Sequence, residues 1–294
     1  MDFQQISQKA GQVLITGGSG FLGGQLGVYL KEKQFDPRMT ASSVRSPFYK
    51  LNFFDEKWDP ALFEGLDTII HCAALIVGKA EDLDLVNCQG TKRLLKAAER
   101  YKISRFIFIS SIDALLQDSD YARTKRAAEE FVRRSNLNWH IVRPSLIFGP
   151  HDPNFSRLEK SINKLPFFPL PNWGSFLWQP VCVQDLVEVI FQLLQGKISA
   201  KEINVVGPED LTFHQVVEIV EASLGKYKIK ISIPNSLTWL LGRIVSLFSI
   251  QAQANFKSSF ANKIISEQMG ALIRCPTRLA DYYRPFRPNV GSSR

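Results

Sequence analysis

Cysteine is scarce in these 294 residues: Cys72, Cys88, Cys182 and Cys275 are the four present, and no two form a Cys-x-x-Cys pair. That excludes a disulfide framework and points to a reducing compartment. Histidine is equally rare, and none of His71, His140, His151 or His214 has partners at metal-ligand spacing, so no metal is expected. No stretch offers eighteen consecutive uncharged apolar residues, which argues against a membrane-spanning helix. Met1 to Gly11 lacks an apolar core of signal-peptide length, so the expected location is the cytoplasm. Repeats and low-complexity tracts are missing as well. What remains, 45% apolar and 22% charged residues, is the composition of a soluble globular chain with a sizeable core. The length allows one large α/β domain or a nucleotide-binding domain with a smaller partner.

Acidic residues are the second scarcity, and a local one. Residues 225–294 carry eleven lysines and arginines against two acids, which leaves the first 224 residues one charge negative. A basic tail on a neutral body is first of all a solvated surface. Its sharper readings are peripheral contact with an anionic membrane or a protein complex, or an acidic substrate. No nucleic-acid-binding motif accompanies the charge.

The stretch that organises the chain is Val13-Leu-Ile-Thr-Gly-Gly-Ser-Gly-Phe-Leu-Gly23. An apolar run stops at Gly17, Gly20 and Gly23, and helical periodicity begins at Phe21. This is a strand, a tight turn and a helix, the start of a dinucleotide-binding βαβ unit. Gly17 permits the turn, Gly20 admits a pyrophosphate, and Gly23 lets helix pack on strand. Backbone N–H groups at Ser19, Gly20, Phe21 and Leu22 would meet the phosphates, aided by the helix dipole.

Further strands are expected over Met39 to Val44, Leu51 to Asp55, Asp67 to Leu75, Arg105 to Ser111, Trp139 to Arg143 and Ile203 to Val206. Helices are expected from Asp59-Pro60, from Leu83 to Tyr101, from Tyr121 to Arg134, and over Val181 to Leu194. Alternation of this kind is a Rossmann-like, doubly wound parallel sheet. At the end of the second strand, Arg45 beside Ser42 and Ser43 favours the 2′-phosphate of NADP, with NAD the alternative. Asp55 is placed to reach an adenine amine, and Ala73 and Ala74 leave room for a ribose. His71 reads as a hydrogen-bonded strand-end residue.

Residues 1–150 form the expected nucleotide domain and 151–294 a smaller α/β substrate or docking region, with 181–206 packing back on the first. After His151 the pattern loosens into proline-rich loops. There Phe167, Phe168, Trp173, Phe176 and Trp178 hint at a lipophilic substrate or at core. Thr212 to Leu224 is a helix capped by Thr212 or Asp210. Lys226, Lys228 and Lys230 alternate with Tyr227, Ile229 and Ile231, an edge strand with its lysines outward. Residues 236–249 make an apolar helix that docks on its own domain or on lipid, and the final residues look frayed.

Tyr121 and Lys125, four apart, share one helix face. An ammonium there would draw the phenol pKa down toward working pH and make Tyr121 an acid/base. The same lysine can donate to a nicotinamide ribose. Ser111, at a strand's carboxyl end, can polarise a substrate carbonyl or hydroxyl. In open parallel sheets ligands bind beyond those ends.

Thr16-Gly-Gly-Ser-Gly-Phe-Leu-Gly23, His71-Cys-Ala-Ala74, Val86-Asn-Cys-Gln-Gly-Thr91, Ser110-Ser111, Tyr121-x-x-x-Lys125 and Arg143-Pro-Ser-Leu-Ile-Phe-Gly-Pro150 together resemble the short-chain dehydrogenase/reductase superfamily. The likeness runs from Val13 to about Leu194. It is closest to the extended and atypical members, among them the NAD(P)H-binding accessory subunit of complex I and bacterial epimerase/dehydratase relatives. The resemblance implies a Rossmann domain with a smaller C-terminal substrate domain, a Ser111-Tyr121-Lys125 site, and nicotinamide contacts at Pro144 and Ser145. Nine residues separate Ser111 from Tyr121, and Ala114-Leu-Leu stands where sugar-nucleotide enzymes carry Val-Tyr-Gly, which counts against that substrate class. The expected function is an NAD(P)-dependent oxidoreductase or epimerase-like enzyme acting on a hydroxyl/carbonyl pair. The alternative is a non-catalytic NADP(H)-binding subunit of a membrane-associated complex.

Overall fold

The computed structural model describes residues 13–43, 46–234 and 263–284. Two compact units are present, Met1–Arg143 with Val187–Asn204 and Pro144–Leu186 with Val205–Arg294.

The chain opens with β1 (Val13–Thr16), the glycine turn and α1 (Phe21–Glu32). β2 (Arg38–Ala41), β3 (Tyr49–Lys50) and β4 (Thr68–His71) follow. α2 (Ala80–Leu83) runs through a π-helical stretch, Asp84–Gln89, into α3 (Gly90–Arg100). Then come β5 (Arg105–Ile109), the short α4 (Asp113–Leu116), α5 (Asp120–Arg133) and β6 (Asn138–Pro144). β1, β2, β3, β4, β5 and β6 all pair in parallel. β1 and β4 are buried at every position, as in a strand covered on both faces. Each buried Ile or Leu there contributes roughly 1.5–3 kcal/mol.

Beyond β6 lie β7 (Ile147–Phe148), α6 (Pro153–Lys164), β8 (Phe167–Pro171), β9 (Leu177–Trp178) and β10 (Val181–Cys182). α7 (Val183–Leu194), β11 (Glu202–Val206), β12 (Leu211–Thr212), α8 (Phe213–Leu224), β13 (Ile229–Ile233), β14 (Leu272–Arg274) and α9 (Leu279–Tyr283) complete the described chain. The large sheet has eight strands in the order β14-β11-β6-β5-β4-β1-β2-β3. Its order reverses between β1 and β4, the switch point at which such sheets bind ligands.

Four expectations need correction. The third strand is Tyr49–Lys50; Leu51 to Asp55 turns instead, because the Asn52 side chain accepts the Phe54 N–H at 3.1 Å. The second strand ends at Ala41, short of the expected Val44, which lies outside the described residues with Arg45. After His151 the chain is a helix. Asp152 caps α6 by accepting the Asn154 and Phe155 N–H groups, each at 2.9 Å, and Pro153 starts it. This is the Asp-Pro start that also caps Pro60–Leu62. In β13 the isoleucines, not Lys230, face outward: Ile229 is 76% exposed. Lys230 turns inward to the fully buried Glu221 carboxylate at 2.7 Å, a charge that cannot be left unpaired.

Thr212 caps α8 in a reciprocal box with Gln215, and Asp210 instead accepts from Gln179. Phe168 and Phe176 are buried around Phe213, and Phe176 stacks on Phe213 at 5.1 Å. Those aromatics belong to the second unit's core, whereas Phe167 and Trp173 are exposed. The apolar segment 236–249 and residues 285–294 lie outside the described residues. No helix among the described residues is long and apolar enough to cross a membrane.

Candidate active site

Register alone brings the site together. Thr16 pairs with His71, and His71 with Phe108. Gly17, Cys72 and Ile109 therefore lie at one level of the sheet's carboxyl edge.

Gly17 has φ +68°, and a Cβ on it would lie 2.8 Å from the Ala73 backbone. A Cβ on Gly23 would lie 2.3 Å from the Gly17 carbonyl oxygen. Both positions therefore exclude larger residues. The N-terminus of α1 has no side-chain cap and no acid in its first turn. Ser19 and Gly20 are exposed and Phe21 and Leu22 half-buried. The Gly20 N–H is given to the Gly17 carbonyl at 2.9 Å, but the first-turn N–H groups beyond it, at the positive end of the helix dipole, suit a pyrophosphate, so this turn fits a dinucleotide. Ala73 donates its N–H to Thr16 Oγ1 at 3.2 Å, and Ala74 is exposed.

Behind the turn, His71 is buried between two threonines, with Nδ1 2.6 Å from Thr16 Oγ1 and Nε2 3.0 Å from Thr91 Oγ1. Thr91 gives its own proton to the Asn87 carbonyl at 2.6 Å. Nε2 therefore carries the histidine proton and Nδ1 accepts from Thr16. Burial, and then the Lys125 charge, hold the imidazole neutral. No cluster of His, Cys, Asp and Glu fit for a metal occurs among the described residues.

Asp55 forms an ion pair with Lys50 at 2.8 Å. Pro144 ends β6, and the buried Ser145 donates its hydroxyl to the Gln179 carbonyl.

Ser111, Tyr121 and Lys125 converge on the end of β5. The Ser111 hydroxyl accepts the Asp113 N–H at 3.2 Å, and it acts on the Tyr121 phenol to lower its pKa. Lys125 is 1% exposed; its Nζ donates to the Ile109 carbonyl at 2.7 Å and lies 4.3 Å from the centre of the Phe108 ring. Burial pushes the ammonium from 10.5 down to about 8, against the opposing pull of Glu129 and Cys72. Burial likewise raises the Cys72 thiol to about 12, with Lys125 opposing.

The phenol does not behave as its spacing from Lys125 suggests. Burial, and then the Asp113 carboxylate, raise the Tyr121 pKa, and Ser111 only partly offsets them. The physical reason is the lysine's engagement: its ammonium is turned to the Ile109 carbonyl and the Phe108 face.

Sequence reasoning missed Glu129. It lies one turn beyond Lys125 on α5, 1% exposed, and accepts from Ser110 Oγ at 2.6 Å and from Arg143 Nε and Nη2 at 2.7 Å each. Arg133 joins at 2.9 Å, and Glu202 of β11 closes the array on Arg133 and Arg143. The stripe Tyr121, Lys125, Glu129, Arg133 at four-residue spacing was visible. Its partners on β6 and β11 were not.

The sequence profile of the NAD dependent epimerase/dehydratase family matches residues 13–207. The chain belongs to this family. A ceramide reductase of Caulobacter vibrioides is 33% identical over 171 residues, 54% of this chain and 54% of that protein. The 40 kDa subunit of NADH-ubiquinone oxidoreductase from Neurospora crassa mitochondria is 27% identical over 154 residues, 52% of this chain and 40% of that subunit. This member of the family thus spans about half the length of such curated relatives. Among solved structures, UDP-glucose 4-epimerase of Thermus thermophilus in complex with NAD matches with a TM-score of 0.64 at 23% identity. The match covers 76% of this chain and 86% of that one, a likeness of fold.

Proposed function

We propose that this epimerase/dehydratase family member is an NAD(P)-dependent oxidoreductase or epimerase-like enzyme acting on a hydroxyl/carbonyl pair of a small-molecule substrate. The observation that carries the reading is the convergence of Ser111, Tyr121 and Lys125 at the sheet edge that also bears the glycine cradle. Gly17, Ser19, Gly20, Phe21, Leu22 and Gly23 would hold the pyrophosphate, and Ala73 and Ala74 the ribose side. Asp55, Pro144 and Ser145 would supply the remaining contacts. NADP is the favoured form, on Arg45 and on the lack of an acid at Ala41-Ser42-Ser43. A nicotinamide dinucleotide bound there supplies hydride chemistry.

The side chains do the rest. Tyr121, protonated at neutral pH because burial and Asp113 raise its pKa, gives its proton to a substrate carbonyl oxygen as that carbon is reduced. It takes the proton back in the reverse direction. Ser111 has one lone pair on the Asp113 N–H, so its own proton is aimed at the substrate or phenol oxygen. Lys125 serves the ribose.

Tyr121→Phe is expected to lower turnover by about 10²–10⁴-fold while NADPH affinity, measured by calorimetry, stays within twofold. Equal turnover in the variant would remove the assignment.

The second reading, a non-catalytic NADP(H)-binding subunit of a membrane-associated complex, draws on the likeness to the Neurospora subunit and on the basic residues 225–294. Oxidation of bound NADPH by a panel of lipophilic carbonyl compounds, alongside co-sedimentation with anionic vesicles, separates the two.

A further inference from the structure

Three consecutive residues at the end of β5 are each held by one stripe of α5. Ser111 meets Tyr121, the Ile109 carbonyl takes the Lys125 ammonium, and the Ser110 hydroxyl donates to Glu129. Positions 121, 125 and 129 are successive turns of one helix face. The third contact is the anchored one, because the Glu129 carboxylate is fixed by both donors of the Arg143 fork from β6 and by Arg133. A carboxylate bound by a guanidinium fork cannot rotate without losing two charge-assisted bonds.

We propose that Glu129 is the positioning residue of the site. It locks the register of α5 against the end of β5 and supplies the negative charge that keeps the neighbouring Lys125 protonated. This deepens the proposed oxidoreductase reading and rests on it for the roles of Ser111, Tyr121 and Lys125. Among the described residues, the charged and titratable groups that act on Lys125 are Glu129 from its own helix and His71 and Cys72 from the end of β4, with the Arg143 and Arg133 guanidinium groups on the far side of the Glu129 carboxylate. His71 is neutral and the Cys72 thiol titrates far above neutrality. Glu129 is therefore the negative charge acting on the ammonium near pH 7.

The test reads Lys125 directly, without turnover. In protein carrying isotope-labelled lysine, the side-chain resonance that titrates near pH 8 is assigned by its loss in Lys125→Met. In Glu129→Gln its midpoint is expected to fall by at least about one pH unit. Glu129→Asp keeps the charge but draws it back from Ser110; it is expected to hold the midpoint while lowering kcat about tenfold with KM unchanged. Should Glu129→Gln fail to fold for want of a partner for Arg143, the double variant Glu129→Gln/Arg143→Gln removes both charges and is expected to show a smaller fall in the same direction, because the opposing Arg143 cation is lost with the carboxylate. A midpoint unmoved in a folded neutral variant overturns the proposal, as does a Glu129→Asp enzyme with full kcat. A shifted midpoint in a protein that turns over no carbonyl compound upholds the role of Glu129 in holding the ammonium and instead overturns the oxidoreductase reading.

Discussion

Tyr121 and Lys125 are tuned by opposite physical effects, and their ionisation is where residue-scale predictions begin. Lys125 titrates at about 8 in the folded protein against an ordinary 10.5. Between those values the unfolded chain holds a proton the native chain has released, so stability rises with pH across that window and the penalty is fullest below pH 8. Urea midpoints at pH 7.5 and pH 10 are therefore expected to rise more for the wild type than for Lys125→Met; equal slopes would contradict the shifted ammonium. At Gly17 the constraint is steric. Alanine there must adopt φ near +68° with its Cβ 2.8 Å from the Ala73 backbone. Gly17→Ala is expected to lose upwards of about 1–2 kcal/mol in urea unfolding, together with dinucleotide affinity.

The helices α5, α6 and α8 each start where a short polar side chain accepts backbone N–H groups, and the α6 start lies where the sequence pattern suggests loops. Asp152 is buried and satisfies two N–H groups of α6. Asp152→Ala is expected to cost about 1–2 kcal/mol with the first unit unaffected, seen as increased hydrogen exchange confined to residues 153–164. The array of Glu129, Arg133, Arg143 and Glu202 ties α5, β6 and β11 together. Its guanidinium groups hold the Glu202 carboxylate at about 2 against an ordinary 4.5. That contribution is complete above pH 4.5 and disappears as pH falls toward 2. Glu202→Gln should accordingly flatten the acid limb of the stability profile while losing stability at pH 7. An unchanged limb would show the pairing to be absent in solution. Breaking the buried Arg143–Glu129 half is costlier, about 3–5 kcal/mol, because an unpaired charge stays inside.

For the whole molecule the decisive quantity is ligand linkage. A dinucleotide at a hundred times its dissociation constant adds about 2.7 kcal/mol to stability. Tm is expected to rise with NADPH more than with NADH, and equally in wild type and Tyr121→Phe; no rise with any of the four oxidised and reduced forms would sink the cofactor assignment. Much of this architecture was legible beforehand. The glycine turn, the strand–helix alternation and the Tyr121–Lys125 spacing are local patterns, carried by residues within a few turns of one another. The aromatic residues near 170 and the lysines of 226–230 were harder, because Phe213 and Glu221, which draw Phe176 and Lys230 inward, lie on a helix whose facing could not be read from spacing. Sequence alone therefore determined the fold class, the cradle and the candidate acid/base pair, since each depends on covalent neighbours and periodicity. Tertiary structure alone decided the protonation of Tyr121 and Lys125 and the company of Glu129. Burial and charge are set by Asp113, Cys72, Arg143 and Glu202, groups brought together from separate strands and loops.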